Sequence, residues 1–176
     1  MPEYTISCKQ IPSSNPGILQ TEITLSKEGI PYTRTIMHYH VPRWQDTCGV
    51  DPKVVATLVE LLSHETMPVI HCSAGIGRGG TTALTYGAYL DDRTDLKNAL
   101  TSLREERRGC VQTLSQYITA HQSLKLLLEK KAKKDAGKIA AEEANSSMEI
   151  DSSSESESDN DLRSSKIFRK CMSNSK

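Results

Sequence analysis

Between Met67 and Leu90 the chain changes character twice within two dozen residues. An apolar run, Met-Pro-Val-Ile-His at 67–71, passes into Cys-Ser-Ala-Gly-Ile-Gly-Arg at 72–78 and then into a helix-like stretch, Thr-Thr-Ala-Leu-Thr-Tyr-Gly-Ala-Tyr-Leu, at 81–90. A short apolar run without polar alternation is the pattern of a strand buried on both faces. A strand that empties through a glycine-containing loop into a helix constrains the fold to an α/β arrangement. The expected architecture is a central twisted mixed sheet flanked by helices, with a Cys-x5-Arg loop joining a strand to a helix.

The flanking text agrees with that class. Residues 19–25 (LQTEITL) and 33–41 (TRTIMHYHV) carry polar alternation and β-formers, so strands are expected there. Residues 53–64 place Val54, Val55, Leu58, Leu61 and Leu62 on one helical face, with Pro52 at the start, where a helix tolerates it. Two further helical faces are marked by Leu96, Ala99, Leu100 and Leu103, and by Leu114, Tyr117, Ile118, Leu124 and Leu128. From Lys130 the composition shifts to Lys, Ala, Ser, Asp and Glu with few large apolar residues. Such a segment buries too little to offset its ordering entropy. The division expected is a folded domain over 1–131 and a disordered, charged, Ser-rich tail over 132–176. The Ser/Asp/Glu run at 146–161 would suit an acidophilic kinase, and serves equally well as a solubilising tail.

Charge and cysteine usage exclude several classes. Lys plus Arg and Asp plus Glu are equal at 22 each, so there is no global basic field of the kind a nucleic-acid binder uses. No leader-like apolar region follows the first residues, and no apolar run has the length of a membrane span. The cysteines, at 8, 48, 72, 110 and 171, are odd in number, widely spaced and without a CxxC pair. That argues against a disulfide framework and against the commonest zinc sites. A cytoplasmic chain with reduced thiols, no metal and no organic cofactor is the expectation.

The loop itself carries the chemistry. Gly75 and Gly77 permit backbone angles that turn successive N–H groups inward into an anion-binding nest, and the helix N-terminus beyond adds free N–H groups and a positive dipole end. A thiol at Cys72 in that setting loses its proton readily, since pKa values of roughly 3.5–7.5 are typical of such positions. A thiolate is a nucleophile, and Arg78 presents a planar fork to two phosphate oxygens. The bland alternative for Cys72 is a small buried core residue. Nucleotide-binding loops fit less well. Gly75 and Gly80 are followed by Thr81 rather than the lysine of a Walker loop. Gly75-x-Gly77-x-x-Gly80 has dinucleotide spacing but leaves Cys72 unexplained.

His71-Cys72-Ser73-Ala74-Gly75-Ile76-Gly77-Arg78 resembles, residue for residue, the signature loop of the protein tyrosine phosphatase family in its phosphotyrosine-specific branch. Dual-specificity and low-molecular-weight relatives share only the Cys-x5-Arg skeleton. Two further segments resemble family elements in the same order. Trp44-Gln45-Asp46 is similar to the mobile Trp-Pro-Asp loop, and Val111-Gln112-Thr113-Leu114-Ser115-Gln116-Tyr117 to the glutamine loop. The resemblance implies a phosphatase acting on phosphotyrosyl proteins through a phosphocysteine intermediate. Cys72 is then the nucleophile, the loop from Ser73 through Ala74, Gly75, Ile76 and Gly77 to Arg78 holds the phosphate, and Asp46 is general acid and then base. Gln112, together with Gln116, would position the hydrolytic water. Thr113-x-x-Gln116 also fits a helix capping box, a structural role for Gln116. His38, His40 and His71, which might be drawn as a metal site, are structural under the resemblance, with His71 orienting the loop.

The pattern departs from the family in three places. Gly79 stands where a Thr or Ser normally follows the arginine, which implies slower breakdown of phosphocysteine. Gln45 replaces a proline that would stiffen the acid loop. The match covers about residues 19–128, roughly the C-terminal half of the family's domain. These departures keep open a second expectation, a phosphotyrosine-binding pseudophosphatase or substrate trap with little turnover.

Overall fold

A computed structural model describes the backbone of residues 4–146 and the side chains of residues 4–139. The chain divides into two compact units, Met1–Asp46 and Thr47–Lys176.

The first unit is a three-stranded antiparallel sheet in the order β1 (Tyr4–Ile11), β2 (Leu19–Lys27), β3 (Arg34–His40). The register pairs Tyr4 with Lys27 and Ile11 with Gln20, then Leu19 with His40 and Leu25 with Arg34. Because side chains alternate faces, this register lines up Cys8, Ile23 and Ile36, with Ile6 opposite Leu25, as one apolar row. The connections turn at Gly17 and Gly29, whose φ of 85° and 78° would be unfavourable for residues with a side chain. Ile18 and Trp44 are buried.

The second unit is helical: α1 (Pro52–Ser63), α2 (Arg78–Leu90), α3 (Leu96–Glu106) and α4 (Leu114–Ser146). Asp51 caps α1 by accepting from Lys53 N, and Asp95 caps α3 by accepting from Lys97 N and Asn98 N. α4 packs on α1 and α2, and α2 on α1 and α3. The core gathers Leu84 and Ala88 of α2, Leu96, Ala99 and Leu103 of α3, Cys110 and Val111, and Ala120 and Leu124 of α4. Each large side chain fully buried there contributes about 1.5–3 kcal/mol of hydrophobic stabilisation. α2 is buried nearly all round despite its threonines, because Thr81, Thr82 and Thr85 return their hydroxyls to the carbonyls of Gly77, Arg78 and Thr81.

The α/β class, the strands at β2 and β3 and all four helices are as expected. Other details differ. The sheet is antiparallel throughout rather than mixed, and it includes β1, which the pattern did not suggest. Residues 67–71 form no strand. Met67 is 68% exposed and Val69 85% exposed, since a strand needs a ladder partner and no described strand pairs with this segment. The expected face of α4 is borne out in part: Leu124 is buried and Tyr117 and Leu128 pack on the core, but Leu114 and Ile118 are exposed, and Gln116, Thr119, Ala120, Ser123 and Leu127 are buried as well. Polar side chains occupy that buried stripe because each finds a backbone partner there. The helix also continues past residue 131 to Ser146, where Lys, Ala and Glu favour helix, and residues 132–139 are exposed. The remainder of the expected tail, 147–176, lies outside the described residues.

Candidate active site

Arg78 is the first residue of α2, and Gly77 before it is an N-cap that no side chain caps, so the helix presents its first-turn N–H groups to the loop. Gly75 takes a φ of 71°, a left-handed turn that directs its N–H back to Cys72 Sγ at 3.2 Å. Burial acts to raise the Cys72 pKa and is the largest single influence. The N–H groups of Gly79 and Gly75, the Arg78 charge and the N–H of Ile76 together outweigh it, and the thiol lies below its ordinary value. Ser73 and Ala74 are exposed on the loop, and Ile76 anchors it by packing on the core.

The loop is held from behind by α3 and the segment that follows it. Arg107 forks onto two loop carbonyls, donating from Nε to Gly75 O at 3.0 Å and from Nη2 to Ala74 O at 3.1 Å. Val111 N donates to Ile76 O at 2.9 Å, and Thr81 satisfies Gly77 O through both its N and its Oγ1, at 2.8 and 2.9 Å. Arg104 in turn grips Cys110 O and Val111 O, each at 2.9 Å. With the carbonyls tied back, the amides are left facing the thiol.

Gly77 has an ordinary negative φ of −79°, so its role differs from that of Gly75. A β-carbon there would run into Gln112 Oε1 and stand 3.0 Å from Gln116 Nε2. The missing side chain therefore brings both glutamines over the loop. Gln116 is fully buried. Its Oε1 accepts from Gln112 N at 2.9 Å and Thr113 N at 3.3 Å, while its own N donates to Thr113 Oγ1 at 3.3 Å. The capping box suggested by the sequence is thus formed. Its Nε2, beside Gly77, is buried without a hydrogen-bond partner.

Cys72, the loop, Arg78, Gln112 and Gln116 are accordingly brought together in the second unit. Asp46 is exposed as the last residue of the first unit, next to the exposed Gln45 and the buried Trp44. Gly79 places no hydroxyl beside the sulfur, and Thr81 Oγ1 is committed to Gly77 O. His38 and His40 stack at 6.0 Å on one face of β3.

A thiol with lowered pKa, ringed by backbone amides and an arginine at a helix start, is an arrangement for phosphate chemistry. A profile described as protein-tyrosine phosphatase matches residues 1–125, well over half of the chain. The chain belongs to the protein-tyrosine phosphatase family. The match to this phosphatase family takes in β1, ahead of the segment from 19 onward that the motifs had covered. The chain is 32% identical over 120 residues to Tyrosine-protein phosphatase 3 of Dictyostelium discoideum, covering 56% of this chain and 12% of that protein. It is 38% identical over 98 residues to human Tyrosine-protein phosphatase non-receptor type 2, covering 48% of this chain and 23% of that one. Its fold is similar to the catalytic domain of human protein tyrosine phosphatase non-receptor type 18, with a TM-score of 0.59 at 22% identity, over 72% of this chain and 51% of that one. The chain therefore spans well under two thirds of each of these phosphatases.

Arg104 and Arg107 were missed by motif reasoning, although an Arg-x-x-Arg pair at the end of α3, just ahead of Gly109, was a usable signal. Thr113 was noticed only as a cap.

Proposed function

We propose that this chain is a protein-tyrosine-phosphatase, a hydrolase that dephosphorylates phosphotyrosyl proteins through a phosphocysteine intermediate. The observation that carries the proposal is the Cys72 sulfur, held below its ordinary pKa by the amides of Gly79, Gly75 and Ile76 and by Arg78. In the first step the Cys72 thiolate attacks phosphorus and the P–O bond to the tyrosyl group breaks. The loop amides of Ser73 through Gly77 and the Arg78 guanidinium stabilise the equatorial oxygens, and Asp46 supplies the proton to the leaving oxygen. In the second step Gln112 and Gln116 orient a water, Asp46 takes its proton, and the S–P bond breaks to release phosphate. These residues need neither metal nor organic cofactor for this sequence of steps.

The balanced charge and widely spaced cysteines support a cytoplasmic setting and partners that are phosphoproteins rather than nucleic acids. No described helix is long and apolar enough to cross a membrane. The proposal is tested by turnover of a phosphotyrosyl peptide with Cys72→Ser, where loss of release to background is the expected result. Retained turnover would overturn it.

One observation favours a second possibility. With Gly79 beside Cys72 and Thr81 Oγ1 donating to Gly77 O, neither position offers a hydroxyl to the departing sulfur in the second step. A chain that forms phosphocysteine and releases it slowly behaves as a substrate trap. A stoichiometric burst with a chromogenic aryl phosphate followed by slow turnover identifies an impaired enzyme, and binding without a burst identifies a pseudophosphatase.

A further inference from the structure

A row of hydroxyls on α4 and its entry holds the segment that follows Asp46. Thr113 Oγ1 donates to Thr47 O at 2.8 Å. Thr119 Oγ1 accepts from Val50 N and donates to Val50 O, both at 3.3 Å, and Ser123 Oγ donates to Pro52 O at 3.0 Å. Gly49 lies flat against the same helix: a β-carbon there would stand 2.6 Å from Thr119 Oγ1 and 2.9 Å from Ser115 O. The first hydroxyl of the row grips the least comfortable residue. Thr47 has a φ of 60°, a left-handed conformation that a β-branched residue rarely adopts and that its surroundings must impose.

The position of this bond in the chain gives it a consequence. Thr47 directly follows Asp46, and Thr113 directly follows Gln112, whose own N–H is held by Gln116 Oε1 at 2.9 Å. A single hydrogen bond thus joins the residue after the proposed acid–base to the residue after the proposed water-orienting amide. We propose that Thr113 is a positioning residue, whose hydroxyl fixes, through the Thr47 carbonyl, the backbone into which Asp46 leads. This rests on the proposed function, which assigns Asp46 and Gln112 their roles.

The competing explanation is a cap and nothing more, since Thr113 Oγ1 also accepts from Gln116 N at 3.3 Å and lies 3.0 Å from Ser115 Oγ. A cap contributes stability and does not distinguish one leaving group from another. The full chain and its Thr113→Val and Thr113→Ser variants are compared in single-turnover release from phenyl phosphate, a poor leaving group, and 2,4-dinitrophenyl phosphate, which needs no proton. Loss of one positioning hydrogen bond is expected to slow T113V about tenfold on phenyl phosphate and little on the dinitrophenyl ester, with T113S restoring the parent behaviour. If T113V does not fold, Thr113→Ala makes the same comparison. A hydroxyl-less variant that is slowed equally on both esters, or on neither, overturns the inference while Cys72-dependent release by the parent leaves the proposed function standing. Absence of Cys72-dependent release by the parent brings down the proposed function and this inference with it.

Discussion

Gly77 and Gln116 are in contact across the loop: a β-carbon on Gly77 would lie 3.0 Å from Gln116 Nε2, and it would also run into Gln112 Oε1. The glycine is there for closeness and not for its backbone angle. Gly77→Ala is therefore expected to push both glutamines off the loop while leaving the amides of Gly75, Ile76 and Gly79 on the Cys72 sulfur. Displacement of a positioned group by about 1 Å costs on the order of a hundredfold in rate. The expected signature is a preserved phosphocysteine burst followed by a steady rate lower by about that factor. Equal loss in both phases would show that the glutamines are not specific to the second step.

Arg107 ties back two loop carbonyls with one planar fork, and a lysine cannot reproduce two parallel bonds. Arg107→Lys is expected to loosen the loop and raise the Cys72 pKa, with vanadate or tungstate binding weakened by roughly tenfold, the equivalent of about 1.4 kcal/mol. Ultraviolet titration of the thiolate and calorimetry of oxyanion binding check this. An unchanged thiolate titration would mean that the loop keeps its shape without the fork.

Cys72 and Cys110 of the helical unit are driven in opposite directions. Cys72 is lowered by amides and Arg78 against its burial, whereas burial pushes Cys110 up more than Arg107 and Arg104 pull it down. Alkylation follows the thiolate fraction. At pH 6–7 iodoacetamide is expected to modify Cys72 well ahead of Cys110, as read by mass spectrometry of the digested protein. The Cys72 rate should hold as pH falls below the ordinary thiol pKa of about 8.5 and drop only through its own lowered value. Cys110 should react only on unfolding. Comparable labelling of both at pH 6 contradicts these assignments.

Gly79 has room for a side chain. A β-carbon there would be 3.4 Å from Cys72 Sγ and 3.5 Å from Cys72 N, which is ordinary van der Waals contact. Gly79→Ser would set a hydroxyl donor beside the sulfur. A hydrogen bond to a charged group is worth about 1.5–3 kcal/mol, so phosphocysteine breakdown is expected to accelerate by roughly tenfold or more. Pre-steady-state kinetics would show the burst merging into a faster steady rate. A serine variant no faster than the parent argues that loss of the sulfur is not the slow step.

Much of the site was legible because its parts are local. Cys72, Gly75 and Arg78 sit within one loop, and their chemistry follows from residue type, glycine spacing and the helix that begins there. The capping box of Thr113 and Gln116 was legible for the same reason. The face of α4 was legible only in part, at Tyr117, Leu124 and Leu128. Apolar spacing favoured Leu114 and Ile118, whereas the helix buries Gln116, Thr119 and Ser123 because backbone groups of Gln112, Val50 and Pro52 come to meet them. Residues 67–71 failed for a related reason, since an apolar run becomes a strand only when another strand is beside it.

By itself the sequence determined the loop from Cys72 to Arg78, the helix-forming stretches, and the strands of β2 and β3, because the signal for each lies in residue types and spacing a few positions apart. Tertiary structure decided what crosses long separations. It set Arg107 behind Gly75 and Ala74, and Gln112 over Gly77. It also brought Thr113 to the carbonyl of Thr47. Those contacts depend on how α2, α3 and α4 pack. Packing is a property of whole faces meeting, which no local spacing encodes.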